Sequence, residues 1–219
     1  MNVSDAVAAR MSVRAFRPDP IPAEVVRDLL ERSARAPSGG DLQPWRVHAL
    51  AGAPLAALKA AVAANPFGEP PEYEVYPPNL WEPYRTRRFQ NGEDLYATLG
   101  IPREDKAARL AQFARNGALF GAPVGVFFCL DRRLGPPQWA AVGMYMQTLM
   151  LLAVERGLDT CAQEYWSRYP KTLAAALELP PEMMVFAGMA LGVRDADHPI
   201  NGMPARRDPF EAWGVLRGF

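Results

Sequence analysis

Apolar and polar positions divide the chain into segments of regular spacing, joined by stretches rich in proline and glycine. One helix is predicted because Val25, Val26, Leu29, Leu30 and Ser33 repeat at the spacing of one helical face, and it is predicted to end at Pro37. The same criteria predict helices at about residues 4–9, 54–65, 103–115, 139–155 and 171–177. Alternating or continuous apolar runs predict strands at residues 45–50, 124–130 and 184–191. Strands mixed with longer helices are typical of a single domain of the α+β or α/β class.

Local signals mark several of the helix ends. Ser4 is predicted to be the N-cap of the first helix, with Asp5 in its first turn, where a negative charge is favourable. Pro20 and Pro22 bracket the start of the next helix. Gly157 is predicted to follow the last turn of the apolar helix at residues 139–155.

Residues 66–100 show no sustained period and are rich in proline, tyrosine and charged side chains. A long segment without regular structure in a compact chain is usually functional or disordered. Its aromatic residues favour an ordered excursion over a floppy linker, and they are Tyr73, Tyr76, Trp81, Tyr84, Phe89 and Tyr96.

The longest uncharged stretch, residues 138–154, is about as long as the shortest bilayer spans but contains Gln138, Gln147 and Thr148. It is predicted to be a helix buried on all sides, in the core or at a subunit interface. The first residues lack the basic and apolar regions of a secretion signal. The two cysteines lie in apolar surroundings, as small buried residues of a reducing compartment. We therefore expect a cytoplasmic protein with no membrane partner.

Composition narrows the class of protein further. The 219 residues include 24 basic and 24 acidic side chains, and 49% of them are hydrophobic. This neutral and apolar composition disfavours a disordered chain and a strongly basic nucleic-acid binder, so no nucleic-acid partner is expected. The 22 prolines and 17 glycines predict that much of the chain lies in shaped loops, where binding sites are usually found.

No motif for metal or nucleophilic catalysis is present. His48 and His198 are far apart in the sequence, and the HExxH, CxxC and GxSxG patterns are missing, so no metal site is expected. Cys161 has no neighbouring histidine that would activate it. The chain also lacks a Walker A sequence and a GxGxxG after a strand. Any nucleotide cofactor must therefore be held in another way.

Two short segments contain polar groups whose spacing or backbone conformation suits ligand binding. Arg10, Ser12 and Arg14 alternate, so an extended backbone would point two guanidinium groups and a hydroxyl to one side, as a phosphate requires. Solvated arginines are the simpler alternative. In PSGGDLQPW, residues 37–45, the glycines expose backbone N–H groups, and Gln43 offers donors and an acceptor to a planar heterocycle. An ordinary loop after a helix is the alternative here.

The combination resembles the opening of the FMN-dependent nitroreductase family, where R-x-S-x-R and a proline-flanked helix precede APSxxNxQPW. The matching segment is RMSVRAFRPDPIPAEVVRDLLERSARAPSGGDLQPWRV. Later segments resemble the family in the same order, and they are RRFQNGEDLYATLGIPRED, RNGALFGAPVGVFF, MQTLMLLAVERGLDTCAQ and LGVRDADHPINGMPARRDPF. The resemblance covers nearly the whole chain and is greatest with the branch that reduces nitroaromatic compounds.

The resemblance implies an α+β, nitroreductase-like fold, with a central, mostly antiparallel sheet flanked by helices, in a domain-intertwined homodimer. The residues implied to hold the FMN phosphate are Arg10, Ser12, Arg14 and Arg207. Those implied to reach the flavin from the other subunit are Pro37, Ser38 and Gly39. Those implied to lie near the ring system are Gln43, Ala162, Gln163 and Glu164, the last three mainly through their backbone.

The implied reaction is ping-pong. NADPH or NADH transfers a hydride to N5 of FMN, and a nitroaromatic or similar electron-poor acceptor then takes the reducing equivalents. Because the flavin carries the chemistry, no catalytic side chain is implied. Alternatives are another flavin reaction of the same fold, such as reductive dehalogenation or oxygen-using dehydrogenation, and a flavin-binding protein of low turnover. Residues 66–100 would be a lid over the acceptor pocket or an arm that stabilises the dimer.

Three residues depart from the family pattern. Asp41 stands where asparagine is usual, and its carboxylate would change the electrostatics near the flavin. Pro204 stands where arginine is frequent, so phosphate binding would rest on Arg207, with Arg206 as a further candidate. Tyr165 stands where some members have a small residue, and it would narrow the pocket.

Overall fold

A four-stranded antiparallel sheet lies at the centre of the fold. The computed structural model describes residues 1–203 and 205–219. The strands are β1 (Arg46–Ala51), β2 (Val124–Asp131), β3 (Asp159–Gln163) and β4 (Met183–Gly192). Their order is β1-β2-β4-β3, and every neighbouring pair is antiparallel. The antiparallel sheet and three of its strands are as predicted, whereas β3 was not predicted as a strand.

Seven α-helices surround the sheet among the described residues. They are α1 (Val3–Ala9), α2 (Ala23–Ser33), α3 (Gly52–Ala64), α4 (Tyr84–Thr98), α5 (Lys106–Ala114), α6 (Pro136–Glu155) and α7 (Pro170–Ala176). All but α4 correspond to predicted helices. Ser4 was predicted to be the N-cap of α1, but the N-cap is Asn2. The Asn2 side chain accepts a hydrogen bond of 2.9 Å from the Asp5 N–H, and the Asp5 carboxylate accepts the Asn2 N–H in return, which forms a capping box.

The central strand β2 is buried on both faces. Val126 and Phe128 belong to an apolar cluster with α2 and α6, whereas Phe127 and Cys129 belong to a second cluster with α3 and α7. Successive side chains of a strand point to opposite faces, so a continuous apolar run supplies both layers of the core at once. The sheet thus forms a rigid platform, and β3 is one of its two edge strands.

The apolar helix α6 is buried on one side only within one chain, so it is not enclosed by the core, and burial of its other side at a subunit interface stays a prediction. Val142 and Leu149 are fully buried, whereas Met144 is 40% exposed and Gln147 is also exposed. Among the described residues no helix is long and apolar enough to cross a membrane. The cytoplasmic location and the single-domain organisation stay predictions.

The excursion at residues 66–100 contains the fifteen-residue helix α4, so the expectation of irregular structure is wrong for its second half. No residue of α4 is buried, and its mean hydropathy is low, which explains why no apolar stripe marked it in the sequence. The first half is fastened to the rest of the chain. The Glu69 carboxylate accepts backbone hydrogen bonds from Lys171 and Thr172, and the Tyr73 hydroxyl donates to the Phe186 carbonyl.

Replacement of Gly188 in β4 by alanine is expected to destabilise the fold. An added Cβ would lie 2.7 Å from Cγ of Trp166, a side chain that is 0% exposed. Overpacking of this kind costs about 1–3 kcal/mol in the free energy of unfolding, measured by urea titration. Gly143→Ala in α6 is the matched control, because its Cβ meets no atom within 4 Å and alanine favours a helix. Equal stability of the two variants would contradict this packing.

Candidate functional site

The segment that follows α1 runs along the free edge of β3. Ser12 pairs with Thr160 as a parallel bridge, and the Val13 N–H donates a 3.0 Å hydrogen bond to the Thr160 carbonyl. The side chains of Arg10, Ser12 and Arg14 are half-buried, and all three line the same cleft. The structure therefore brings these three predicted residues together beside the edge of the sheet.

This basic cleft has a volume of about 700 Å³. Its walls are the 10–14 segment, one face of α4 and the C-terminal segment. Its charged residues are Arg10, Arg14, Arg87, Arg206, Arg207, Asp94 and Asp208. Five arginines and two aspartates leave an excess of three positive charges, so the cleft is suited to an anion with two or more negative charges.

Arg14 is held in place through its backbone. The Arg14 N–H donates to Oδ1 of Asn201 at 2.8 Å, and Nδ2 of Asn201 donates to the Ala15 carbonyl at 2.9 Å. One guanidinium nitrogen, Nη1, donates to the Ser12 carbonyl at 3.2 Å. The Arg207 Nη1 makes a local bond of the same kind, to the Arg206 carbonyl at 2.6 Å. Both guanidinium groups keep further N–H donors, because each carries five.

The end of β3 offers backbone groups to the same region. Ala162 is exposed, and it lies two residues beyond Thr160, whose carbonyl points away from β4. Alternate residues of a strand direct their backbone groups to the same side, so the Ala162 N–H also lies on the free edge.

Gln163 does not present its side chain to the cleft. Its Nε2 donates to the Asn116 carbonyl at 2.9 Å, and its Oε1 accepts from Trp166 Nε1 at 3.2 Å. The side-chain amide is therefore used internally, and the predicted backbone contact of Gln163 with the flavin stays a prediction. Glu164 is exposed, and its carboxylate accepts a 2.6 Å hydrogen bond from the hydroxyl of Tyr76. Burial and this carboxylate raise the pKa of Tyr76.

The loop at residues 37–43 lies apart from the basic cleft. Gln43 lines a second cleft of about 410 Å³, together with Arg46 and His48 of β1, and the two clefts share no lining residue. Pro37 and Gly39 are exposed. The structure of one chain therefore does not bring Pro37, Ser38, Gly39 and Gln43 together with Arg10, Ser12, Arg14 and Arg207.

The same loop has an unusual backbone. Gly40, Asp41 and Gln43 have φ values of +60°, +53° and +45°. For the two residues other than glycine this left-handed conformation is uncommon and costs energy, as is often found in loops that bind ligands. The Ser38 hydroxyl accepts the Gln43 N–H at 2.8 Å, and the Asp41 carboxylate accepts the Gln43 side-chain amide at 3.0 Å. Asp41, which stands where asparagine is usual, therefore makes a contact within its own loop.

The cysteines and histidines take no part in the basic cleft. Burial raises the pKa of Cys161 to about 11, although the nearby Arg10 and Arg14 act in the opposite direction. Burial raises the pKa of Cys129 to about 12. Neither thiol is therefore a ready nucleophile at neutral pH. His198 accepts the Ile200 N–H at 3.2 Å, and no cluster of potential metal ligands occurs in the part of the chain that the structure describes.

The sequence did not predict that α4 forms one wall of the basic cleft. Thr86, Arg87, Gln90, Asn91 and Asp94 all line the cleft from one face of α4. Their spacing is helical, but the signal is polar and not apolar, so a search for apolar periodicity does not detect it. Pro204 lies outside the described residues. Tyr165 is half-buried, and its hydroxyl is 2.9 Å from that of Tyr169.

The chain matches the family model described as "Nitroreductase family" over residues 7–193. It is 40% identical to the nitrobenzene nitroreductase of Ectopseudomonas oleovorans over 95% of this chain and 94% of that protein. It is 35% identical to the 4-nitrobenzoate reductase of Pseudomonas putida over 97% of this chain and 94% of that protein.

A solved structure is similar over the full length of both chains. It is the FMN and NADPH-dependent nitroreductase NfnB from sphigopyxis sp. strain HMH, with a TM-score of 0.97 and 44% sequence identity. The fold, the order of the motifs and these matches agree, and the chain belongs to the nitroreductase family.

Proposed function

We propose that the protein is an FMN-dependent NAD(P)H oxidoreductase that reduces nitroaromatic compounds. The observation that carries this proposal is the basic cleft beside the free edge of β3. It occurs in a chain that is 40% identical to a nitrobenzene nitroreductase over almost its whole length. NADPH is the expected donor, because the similar full-length structure is NADPH-dependent.

The described residues fit a flavin phosphate. The ester phosphate of FMN carries close to two negative charges at neutral pH, and the cleft has an excess of three positive charges. Arg10, Arg14 and Arg207 would hold it, since arginine forks match phosphate oxygens in geometry and charge. Next to Ser12, the hydroxyl of Thr160 is buried and has no hydrogen-bond partner among the described residues. Buried polar atoms without a partner are rare, and this one belongs to the residue paired with Ser12, so it supports a polar ligand near that segment.

When bound, FMN would supply the redox chemistry: a hydride equivalent from NAD(P)H, together with one proton from solvent, converts a nitro group to a nitroso group and releases water. The task of the protein is to bind and orient. The arginines would hold the anionic end of FMN, and the Ala162 N–H on the free edge of β3 is a donor available to its ring system. Because Gln163 is bonded to Asn116 and Trp166, this end of the strand is rigid. Positioning of this quality is what a hydride transfer requires.

We further propose that the site is completed in a homodimer. Pro37, Ser38 and Gly39 lie apart from the basic cleft in one chain, which is what a contribution from a second copy requires. Apolar side chains without cover support an interface between copies, since monomeric proteins rarely expose so many together. The largely exposed ones near the C-terminus are Trp213, Val215, Leu216 and Phe219.

Residues 66–100 are proposed to be a lid and not only a dimer arm. Tyr76 is bonded to Glu164, the residue that follows β3, and Arg88 lies over the Tyr76 ring at 4.6 Å. The following helix α4 forms a wall of the basic cleft. Both contacts support a lid that covers the proposed site of its own chain.

The proposal predicts a flavin spectrum and nitro-dependent turnover. Purified protein reconstituted with FMN is expected to show oxidised-flavin absorbance after desalting. NADPH oxidation is expected with 4-nitrobenzoate and not with benzoate, which has the same shape and charge apart from the nitro group. Loss of all flavin on desalting, or equal oxidation rates with the two benzoates, would contradict the proposed function.

A further inference from the structure

Two ion pairs fasten the C-terminal segment to α4 at the rim of the basic cleft. Asp94 accepts from Nε of Arg206 at 2.5 Å and from its Nη2 at 3.0 Å, and Arg87 pairs with Asp208. The Asp94 side chain is only 12% exposed, and Gln90 also donates to it, at 2.8 Å. Both carboxylate oxygens of Asp94 are bonded, whereas the Arg206 side chain is 67% exposed, so solvent and salt screen part of this pair.

The two ion pairs join one face of α4 to residues on both sides of Arg207. Residues 87 and 94 are seven apart on α4, which places them on one face two turns apart. Arg206 and Asp208 are two apart, and both turn toward that face. Arg207 lies between them and takes no part in either pair; its guanidinium bonds to the Arg206 carbonyl and lines the cleft. The two pairs therefore fix the direction of the residue that they flank.

We infer that Asp94 and Arg206 are positioning residues that hold the 205–208 segment on α4, so that Arg207 faces the anionic end of the bound cofactor. This inference rests on the proposed function. It gives α4 a role that the apolar core does not supply, because the helix has no buried residue and its contacts with the segment are ionic.

An effect of charge alone and an effect of positioning predict opposite changes in FMN affinity when Asp94 is neutralised. Asp94 is a negative charge on the wall of a cleft that would bind a phosphate dianion. If it acted only through its charge, its neutralisation would strengthen FMN binding, whereas neutralisation of Arg206 would weaken it. If the pair acts by positioning, both changes weaken FMN binding, and the double change weakens it no more than either single one.

The experiment compares FMN with riboflavin, which lacks the phosphate, by flavin fluorescence titration of the full chain. Asp94→Asn and Arg206→Gln are each expected to raise the Kd of FMN about twofold to fivefold, as the loss of a partly exposed ion pair allows, with the Kd of riboflavin unchanged. Glu93→Gln is the matched control. Glu93 is the preceding residue of α4 and also pairs with an arginine, Arg109 at 2.7 Å, but it does not line the basic cleft.

A charge exchange separates positioning from a general loss of structure. Asp94→Arg combined with Arg206→Asp restores the pair with its direction reversed, and it is expected to recover most of the FMN affinity that either single reversal removes. Tighter FMN binding by Asp94→Asn, or equal losses for FMN and riboflavin, would overturn the inference. If the parent protein binds no FMN, the proposed function fails; if the parent binds FMN and the variants match it, only the positioning role fails.

Discussion

Replacement of Arg14 or Arg207 by alanine is expected to weaken FMN binding by roughly one to two orders of magnitude. A hydrogen bond between charged partners contributes about 1.5–3 kcal/mol, which corresponds to about a tenfold to hundredfold change in Kd. The fold should tolerate the Arg14 change, because the backbone of this residue, and not its side chain, makes the 2.8 Å bond to Asn201. Arg207 is exposed and bonds only to a neighbouring carbonyl in the described chain.

Arg17→Ala is the matched control for this experiment. Arg17 follows the same segment but is exposed, pairs with Asp19 at 2.7 Å and does not line the basic cleft. The measurement is the Kd of FMN by fluorescence quenching at two salt concentrations, since anion binding by arginine weakens with ionic strength. If Arg14→Ala and Arg207→Ala bind FMN as well as Arg17→Ala does, the phosphate does not lie where we place it.

The elements that the sequence predicted are those whose core-facing side chains form a local apolar pattern. β2 reads as a continuous apolar run because both of its faces enter the core, and α2 shows its face through Val26 and Leu29. The alternation of Arg10, Ser12 and Arg14 likewise predicted their common direction, since an extended segment directs alternate side chains to one side.

The elements that the sequence did not reveal are stabilised by distant polar partners. β3 begins with Asp159, which is buried because Arg194 bonds to both of its oxygens, and it ends with Gln163, which is bonded to Asn116. Buried polar residues of this kind are satisfied only by the folded chain, so no local pattern indicates a strand. The helix α4 has no buried residue, and its ion pairs are with residues outside the helix, among them Arg109 and Asp208.

The place of the loop at residues 37–43 relative to the site could not be predicted from local patterns. Its position near the site was implied by resemblance, and the folded single chain leaves it at another cleft. The side of α6 that carries Met144 is also exposed in the single chain. The proposed homodimer would bring this loop and the exposed side of α6 against a second copy, and no local pattern of the sequence indicates such contacts.

Mixed dimers provide the sharpest expected result. One subunit carries Arg14→Ala with Arg207→Ala, and the other carries Gly39→Trp. The large side chain meets open space in its own chain, because an added Cβ at Gly39 has no atom within 4 Å. Each homodimer is expected to lose nearly all FMN and nitro-dependent NADPH oxidation. In the first the phosphate is not held, and in the second the tryptophan fills the space that the partner's flavin needs.

The mixed dimer behaves differently if the loop serves the partner's cleft. In a two-fold symmetric dimer, one site then receives both defects and the other receives neither. Two affinity tags allow the mixed dimer to be isolated, and it should recover about half of the flavin content and turnover of the parent, as one intact site of two requires. If residues 37–39 served the cleft of their own chain, each site would carry one defect and nothing would be restored. Recovery of activity can therefore come only from a site that two chains build together.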